Sequence, residues 1–158
     1  SVYGHILRTV PKQVKGAFNA RPEDTKRVFV LEAVFIGTLA VLAWPLAIGF
    51  LIQAIAAIYL LEFVNYLQHH GLRRLDDERP NATHAWESRH RLSRWTLMEL
   101  PLHPSHHLKA STRYERLDVH DESPQLPFGY YVMFWVAHVP PLFGRLLRRQ
   151  AKVAGLPV

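Results

Sequence analysis

VFVLEAVFIGTLAVLAWPLAIGFLIQAIAAIYLLEFVNYL, residues 28–67, is the stretch that decides the fold of this chain. No charged residue lies between Glu32 and Glu62. A membrane-spanning helix needs roughly 20 apolar residues, so the run is long enough for one tilted span or two short ones. Its main polar exceptions are Thr38 and Gln53, so all faces of a helix built from it are apolar. This pattern favours membrane spans over a buried helical hairpin in a soluble protein.

A break in the run is expected at Trp44-Pro45, because proline lacks an N–H donor and bends or ends a helix. We therefore predict two helices, at about residues 28–44 and 46–68. The run is too long and too far from the N terminus for a cleaved signal peptide. The predicted fold class is an all-α integral membrane protein, with two transmembrane helices that form part of a larger bundle and a cytoplasmic histidine-rich helical cap.

Basic residues flank the run on both sides. Lys and Arg side chains mark the cytoplasmic side of a membrane, and an even number of crossings places both flanks there. The chain has a net charge of +6, but it lacks a basic helix or an aromatic-basic repeat, so we do not expect a nucleic-acid partner. The flanking residues include Lys12, Lys15, Arg21, Lys26 and Arg27 before the run, and Arg73, Arg74, Arg89, Arg91 and Arg94 after it.

Composition divides the chain into four segments. Asp24 or Thr25 is a candidate cap for the helix that follows the first segment. Prolines in the last segment argue against a straight span there. The segments are an amphipathic interfacial segment at 1–27, two transmembrane helices at 28–68, a cytoplasmic histidine-rich metal-binding region at 69–123, and an apolar interfacial helix with a basic tail at 124–158.

The strongest candidate site is the cluster His103-Pro104-Ser105-His106-His107. Histidines at i, i+3 and i+4 lie on one side of a short helix, where their imidazoles share a metal ion. The chain contains no cysteine, so a metal site must use nitrogen and oxygen ligands. The alternative is a solvated polar turn, since Pro104 is expected to interrupt the helix.

Histidine also ends the second predicted span. On a helix, Glu62, Asn65 and His69 share a face at i, i+3 and i+7. A carboxylate and an amide in lipid need partners, so this face is expected to point into protein or towards a metal. The alternative for His69 alone is a cap on the helix end. In HAWESRH, residues 84–90, His84 and His90 are candidate ligands or, more in keeping with their wider spacing, partners that orient the ligands.

Four motifs occur in an order that resembles the C-terminal half of the membrane alkane monooxygenases. That family is grouped with the xylene monooxygenases and, more distantly, the fatty acid desaturases, which are histidine-rich membrane di-iron enzymes. The resemblance covers roughly residues 1–145. The motifs are NYLQHHGL at 65–72, HAWES at 84–88, LHPSHH at 102–107 and PQLPFGY at 124–130.

The resemblance implies a non-haem di-iron centre. The implied iron ligands are His69, His103, His106 and His107. Additional ligands or supporting residues are expected among Glu62, Asn65, His70, His84, Glu87 and His90. The sequence departs from the family at Ser105, where an aspartate is common, and at Glu87, where an asparagine is common.

Two iron ions need roughly eight to ten donors, which four matched histidines do not supply. The family has further histidine boxes in its N-terminal half. We therefore expect this chain to be a C-terminal fragment or one piece of a divided enzyme, inactive without the N-terminal remainder.

The resemblance also implies an activity, which is hydroxylation of the terminal methyl group of alkanes with O2 and electrons from rubredoxin or ferredoxin. Arg73, Arg74, Arg89 and Arg94 are candidates to steer an acidic electron carrier. The implied location is a bacterial inner membrane, in a multi-pass arrangement with the metal site on the cytoplasmic side. Alternatives are a xylene monooxygenase, a fatty acid desaturase-like enzyme, or a non-catalytic membrane metal-binding subunit.

Overall fold

The structure, a computed structural model, describes residues 1–74 and 77–156. This part of the chain is all-helical, as predicted, and contains no strand; Glu87 and Gln125 form one isolated parallel bridge. The predicted metal-binding region 69–123 and the predicted tail 124–158 each include two positions outside the described residues. The helices are α1 (Val2–Ala20), α2 (Pro22–His69), α3 (Arg91–Thr96), α4 (His103–Leu108), α5 (Tyr130–Ala137) and α6 (Pro140–Val153), with 3₁₀ turns at Ala82–His84, Leu100–Leu102 and Tyr114–Arg116.

Two compact units make up the chain. One consists of residues 3–63, which form α1 and most of α2. The other consists of residues 1–2 and 64–158, which include the last turns of α2 and all later helices.

The junction between α1 and α2 differs from the prediction. The predicted cap at Asp24 or Thr25 is wrong, because α2 already begins at Pro22. Proline suits the first position of a helix, where its missing N–H has no helical partner in any case. Helix α1 ends just before Arg21, and the Phe18 and Phe29 rings stack 5.5 Å apart across the junction.

The predicted break at the Trp-Pro pair is confirmed. It falls at Ala43, whose φ of −158° and ψ of 75° are not helical. On one straight helix, residues 35 and 50 would lie about 22 Å apart. Instead, the Phe35 and Phe50 rings meet edge to face with their centroids 5.1 Å apart. Residues 22–42 and 44–69 of α2 are therefore two arms of a helical hairpin.

The apolar side chains of the hairpin are largely on its outside. Val41 is 85% exposed and Leu42 is 78% exposed. In the described part of the chain, α2 is the one helix long and apolar enough to cross a membrane, judged by length and composition. A packed soluble core would bury such residues, which cost free energy in contact with water.

Glu62 is the polar exception on the second arm. Its side chain is 1% exposed. Oε1 accepts a hydrogen bond from Gln13 Nε2 at 3.0 Å, and Oε2 lies 3.3 Å from His5 Nε2. Both partners belong to α1, so the buried carboxylate joins α1 to the second arm.

The second unit has its own core, to which α6 contributes one face. Phe143, Leu147 and Ala151 on that face are buried, whereas Arg145 and Arg148 are exposed. Helix α6 is therefore amphipathic, with its apolar face in the core. The other large side chains of the core include Leu67, Trp86, Leu102 and Met133.

Candidate metal centre

Three histidines converge in the second unit. His69 comes from the end of α2, and His103 and His107 come from α4. The Nε2 atoms of His103 and His69 are 3.2 Å apart, and those of His107 and His103 are 2.9 Å apart. Two imidazoles bound to one metal at about 2.1 Å place their nitrogens about 3.0–3.4 Å apart for angles near 90–109°. The triad therefore fits a shared metal ion, and its donor atoms form a metal-sized group.

Pro104 does not interrupt α4, so that prediction is wrong. The helix begins at His103, and Pro104 occupies its first turn, where the missing N–H breaks no helical hydrogen bond. His103 and His107, four residues apart, consequently project from one face of a continuous helix.

Burial and neighbouring rings keep two of the site imidazoles, those of His103 and His107, neutral. Burial, reinforced by the neighbouring His107 and His69 rings, lowers the pKa of His103 to about 3. Burial and the nearby His69 and His106 rings lower the pKa of His107 to about 4. Both values lie below the usual histidine pKa of about 6.5, so both rings are unprotonated at neutral pH. Neutral imidazole is the form that binds a metal.

A backbone carbonyl fixes the tautomer of His69. Its Nδ1 lies 3.0 Å from the His84 carbonyl oxygen. Because a carbonyl only accepts hydrogen bonds, Nδ1 carries the proton and Nε2 keeps its lone pair for a metal. Such hydrogen bonds from the second ring nitrogen orient metal-binding histidines and raise their basicity.

The segment 84–86, which we call the strap, also binds the end of α2. The Trp86 main-chain N–H donates to the Gln68 carbonyl at 2.8 Å, and its indole N–H donates to the His70 carbonyl at 2.9 Å. The last carbonyls of a helix have no partner within the helix. The strap supplies partners on either side of His69.

His106 does not join the triad. Its side chain is exposed, although its ring stacks on that of His103 at 5.7 Å. The two rings line one wall of an open groove. The remaining wall is largely apolar and includes Leu97, Met98, Leu100 and Leu117.

His70 and His84 have other partners. The His70 ring packs against Tyr66 and Phe143, at 4.6 and 5.1 Å. His84 Nδ1 accepts the Asn81 main-chain N–H at 3.1 Å, and His84 Nε2 lies 3.3 Å from Glu78 Oε2. The His84 ring is therefore engaged within its own loop, and its carbonyl contacts His69.

Asn65 and His90 also lie outside the triad. Asn65 is half-buried on α2, and His90 is an exposed residue that precedes α3. The His90 Cβ instead borders Gly129. Glu62, in the other unit, is bound by α1 as described above.

Glu87 organises a loop. Its fully buried carboxylate accepts hydrogen bonds from Arg89 Nε at 2.7 Å, from the His120 main-chain N–H at 3.0 Å and from Gln125 Nε2 at 3.0 Å. The hydrogen bond to Glu87 in turn raises the pKa of Arg89. These contacts join Glu87, the residue after the strap, to residues 120–125 rather than to a triad nitrogen.

Two supporting residues were missed by the sequence analysis. Gln68, buried beside His69, donates to the Tyr130 hydroxyl at 3.1 Å. Ser93 Oγ accepts the Tyr130 main-chain N–H at 2.9 Å. For Gln68, the sequence did contain a signal: a glutamine lies beside the histidine pair of an apolar helix, and a buried amide requires hydrogen-bond partners.

Comparison with known proteins decides the family. The family model described as fatty acid desaturase matches residues 3–138. This chain belongs to the fatty acid desaturase family. The family model confirms the more distant grouping with the desaturases, and the relatives that follow confirm the resemblance to the alkane monooxygenases that the four motifs indicated.

Alkane 1-monooxygenase 2 of Pseudomonas aeruginosa is 42% identical over 121 residues, which cover 73% of this chain and 32% of the relative. Alkane 1-monooxygenase 2 of Alcanivorax borkumensis is 38% identical over 125 residues, 75% of this chain and 33% of the relative. The xylene/toluene monooxygenase hydroxylase component XylM of Pseudomonas putida is 32% identical over 165 residues, 94% of this chain and 44% of the relative. The chain thus spans about a third of the first two relatives and under half of the third.

Proposed function

We propose that this chain is the C-terminal part of a membrane non-haem di-iron monooxygenase that hydroxylates the terminal methyl group of alkanes. The observation that carries the proposal is the convergence of three Nε2 atoms, from His69, His103 and His107, at separations that fit one metal ion. The alkane 1-monooxygenase relatives support the substrate class.

The triad would hold one iron ion. His106, whose exposed side chain stacks on the His103 ring, would contribute to a second iron together with ligands from the remainder of the protein. Bound iron supplies the reduction of O2 and the attack on the C–H bond, so that alkane, O2, two electrons and two protons give the alcohol and water. The His84 carbonyl would keep the His69 ring oriented during turnover.

The remaining residues have supporting roles in this proposal. His70 packs the end of α2, and Glu87 holds the strap to the following loop. His90 lies against the Gly129 backbone, while Asn65 shares the last turns of α2 with His69. Glu62 binds α1 to the hairpin.

We assign the hairpin to a lipid bilayer, with both arms crossing it. The arms of about 21 and 26 residues are about 31 and 39 Å long, enough to cross a hydrocarbon core of about 30 Å. Both ends of the hairpin would then face the cytoplasm of a bacterium, together with the metal centre. The exposed apolar side chains of the arms are those that lipid tails would cover.

Electrons would come from a rubredoxin or ferredoxin. The surface arginines proposed to steer it are not equivalent. Arg89 is paired with Glu87 and Asp121, and Arg94 is paired with Glu99 at 2.6 Å. An acidic carrier would therefore meet less of the charge of Arg89 and Arg94.

A second candidate is hydroxylation of a methyl group on an aromatic ring. XylM matches 94% of this chain, a larger share than the two alkane monooxygenases reported above. The chemistry at iron would be the same, and the shape of the substrate channel would distinguish the two activities.

The test is product analysis with the complete gene product, purified in nanodiscs, loaded with iron and supplied with an electron donor. Octane, xylene and an acyl lipid are offered separately under isotope-labelled O2. We expect labelled 1-octanol from octane, with the product lost in His107→Ala and retained in His138→Ala. His138 is a matched control because its Nδ1 donates to the Phe134 carbonyl within its own helix region. Purified protein that binds no iron contradicts the proposal, and labelled benzylic alcohol alone favours the second candidate.

A further inference from the structure

We propose that Trp86 is a positioning residue for the metal centre and that its indole N–H holds His69 in its metal-binding geometry. The proposal rests on the proposed metal role of His69. Trp86 binds no metal in this scheme; it acts through the end of α2.

Trp86 is built into the helix end. Its side chain is 1% exposed, and both of its N–H groups are used. One binds the carbonyl before His69 in the chain and the other binds the carbonyl after it, at 2.8 and 2.9 Å. The last turn of a helix frays when its carbonyls lack partners, so these two contacts hold the backbone of His69 from both sides.

The same strap holds the His69 side chain. The carbonyl oxygen of His84, two residues before Trp86, accepts a hydrogen bond from His69 Nδ1 at 3.0 Å. The His69 backbone and ring are thus tied to one three-residue segment. When Trp86 loosens, the His84 carbonyl moves relative to the His69 ring, and the Nδ1 proton loses its fixed acceptor.

A loosened His69 has a measurable chemical consequence. Without the carbonyl acceptor, the neutral imidazole redistributes its proton between Nδ1 and Nε2, and the Nε2-protonated form has no lone pair for the metal at that nitrogen. Loss of a hydrogen-bond partner that supports a metal ligand typically weakens metal binding about 10–100-fold. For a residue one step further from the metal, we expect about tenfold.

The test uses Co²⁺ as the probe in the metal-stripped complete gene product. Trp86→Phe keeps an aromatic ring and the main-chain N–H but removes the indole N–H. A second variant carries 3-benzothienylalanine at position 86, which keeps the shape of the indole and replaces N–H by sulfur. Trp95→Phe and Trp135→Phe are matched controls, because those side chains are 72% and 73% exposed.

We expect both position-86 variants to bind Co²⁺ about tenfold more weakly, with altered d–d absorption bands, and both controls to bind as the parent does. Histidine-nitrogen NMR of the metal-free protein is expected to show His69 shifting from Nδ1–H towards a mixture of tautomers. Unchanged Co²⁺ affinity and an unchanged tautomer in the benzothienyl variant overturn the proposal. Neither readout requires hydroxylation. The test therefore remains valid if the enzyme acts on another substrate, a result that would contradict the proposed function.

Discussion

Gly129→Ala offers a quantitative test of how the last apolar segment is held against α3. Gly129 has φ −66° and ψ 161°, values that alanine adopts freely, so the backbone conformation is no obstacle. The obstacle is space: an added Cβ would lie 2.7 Å from Ser93 Oγ and 3.2 Å from the His90 Cβ. The Ser93 hydroxyl would have to turn away, and it is the acceptor for the Tyr130 main-chain N–H.

The expected cost has two parts. Forcing an extra methyl group into a packed site costs about 1–3 kcal/mol. Leaving the buried Tyr130 N–H without its acceptor costs about 1–3 kcal/mol. Because the structure relaxes in part, we expect the free energy of unfolding to fall by about 2–4 kcal/mol in total.

Ser93→Ala separates these parts. It removes the oxygen that obstructs the new Cβ, while itself forfeiting the Tyr130 hydrogen bond. In that background, Gly129→Ala is expected to cost less than about 1 kcal/mol, which gives a coupling energy of about 2 kcal/mol between the two sites. Gly144→Ala, in the middle of α6 beside the flexible end of Arg148, is the matched control and should stabilise the protein by up to about 1 kcal/mol.

The assay is denaturant unfolding of the complete gene product in detergent, followed by far-ultraviolet circular dichroism, with all four combinations at positions 93 and 129. Additive costs in the double variant, or a Gly129→Ala protein as stable as the parent, would refute the steric argument.

Three further predictions concern the metal centre and the hairpin. His103→Ala should weaken Co²⁺ binding by more than about 100-fold, because His103 Nε2 contacts both other triad nitrogens. The His138→Ala variant should bind Co²⁺ with the affinity of the parent protein. The metal-free fold should lose stability as pH falls from about 6.5 to about 3, because the unfolded chain binds a proton that folded His103, with a pKa of about 3, does not bind. In His103→Gln, the free energy of unfolding, measured at stepped pH, should therefore change less steeply with pH. In sealed vesicles, a membrane-impermeant thiol reagent should label Lys12→Cys and Arg91→Cys from one side and Trp44→Cys from the other. These 158 residues contain no cysteine, so they add no background labelling. Labelling of all three variants from the same side is incompatible with two spans.

The hairpin was largely predictable because two local signals coincide. The uncharged run gives the length, and Trp44-Pro45 gives the position of the break, which the structure places at Ala43. The prediction of two spans with both basic flanks on one side also required the chain to reverse direction after the break. The contact between Phe35 and Phe50 shows that the arms fold back on one another.

The triad was accessible from the sequence only in part. Spacing placed His103, His106 and His107 on one side of a short helix, but the structure brings only His103 and His107 of these into the triad. Their meeting with His69 followed from the family resemblance. The His84 contribution was hidden, because it is a backbone carbonyl, and every residue has one. Similarly, helical spacing identifies the face that carries Glu62 but not the α1 residues, Gln13 and His5, that cover it.

The strap has a consequence for how the centre forms during folding. Its contacts with α2 join residues 15 to 18 positions apart, and the contacts within the triad join residues up to 38 apart in a chain of 158. Closing short loops costs little entropy, and local contacts form early. We therefore expect residues 69–107 to assemble as one cooperative folding unit, ready for metal as soon as the emerging chain has passed His107.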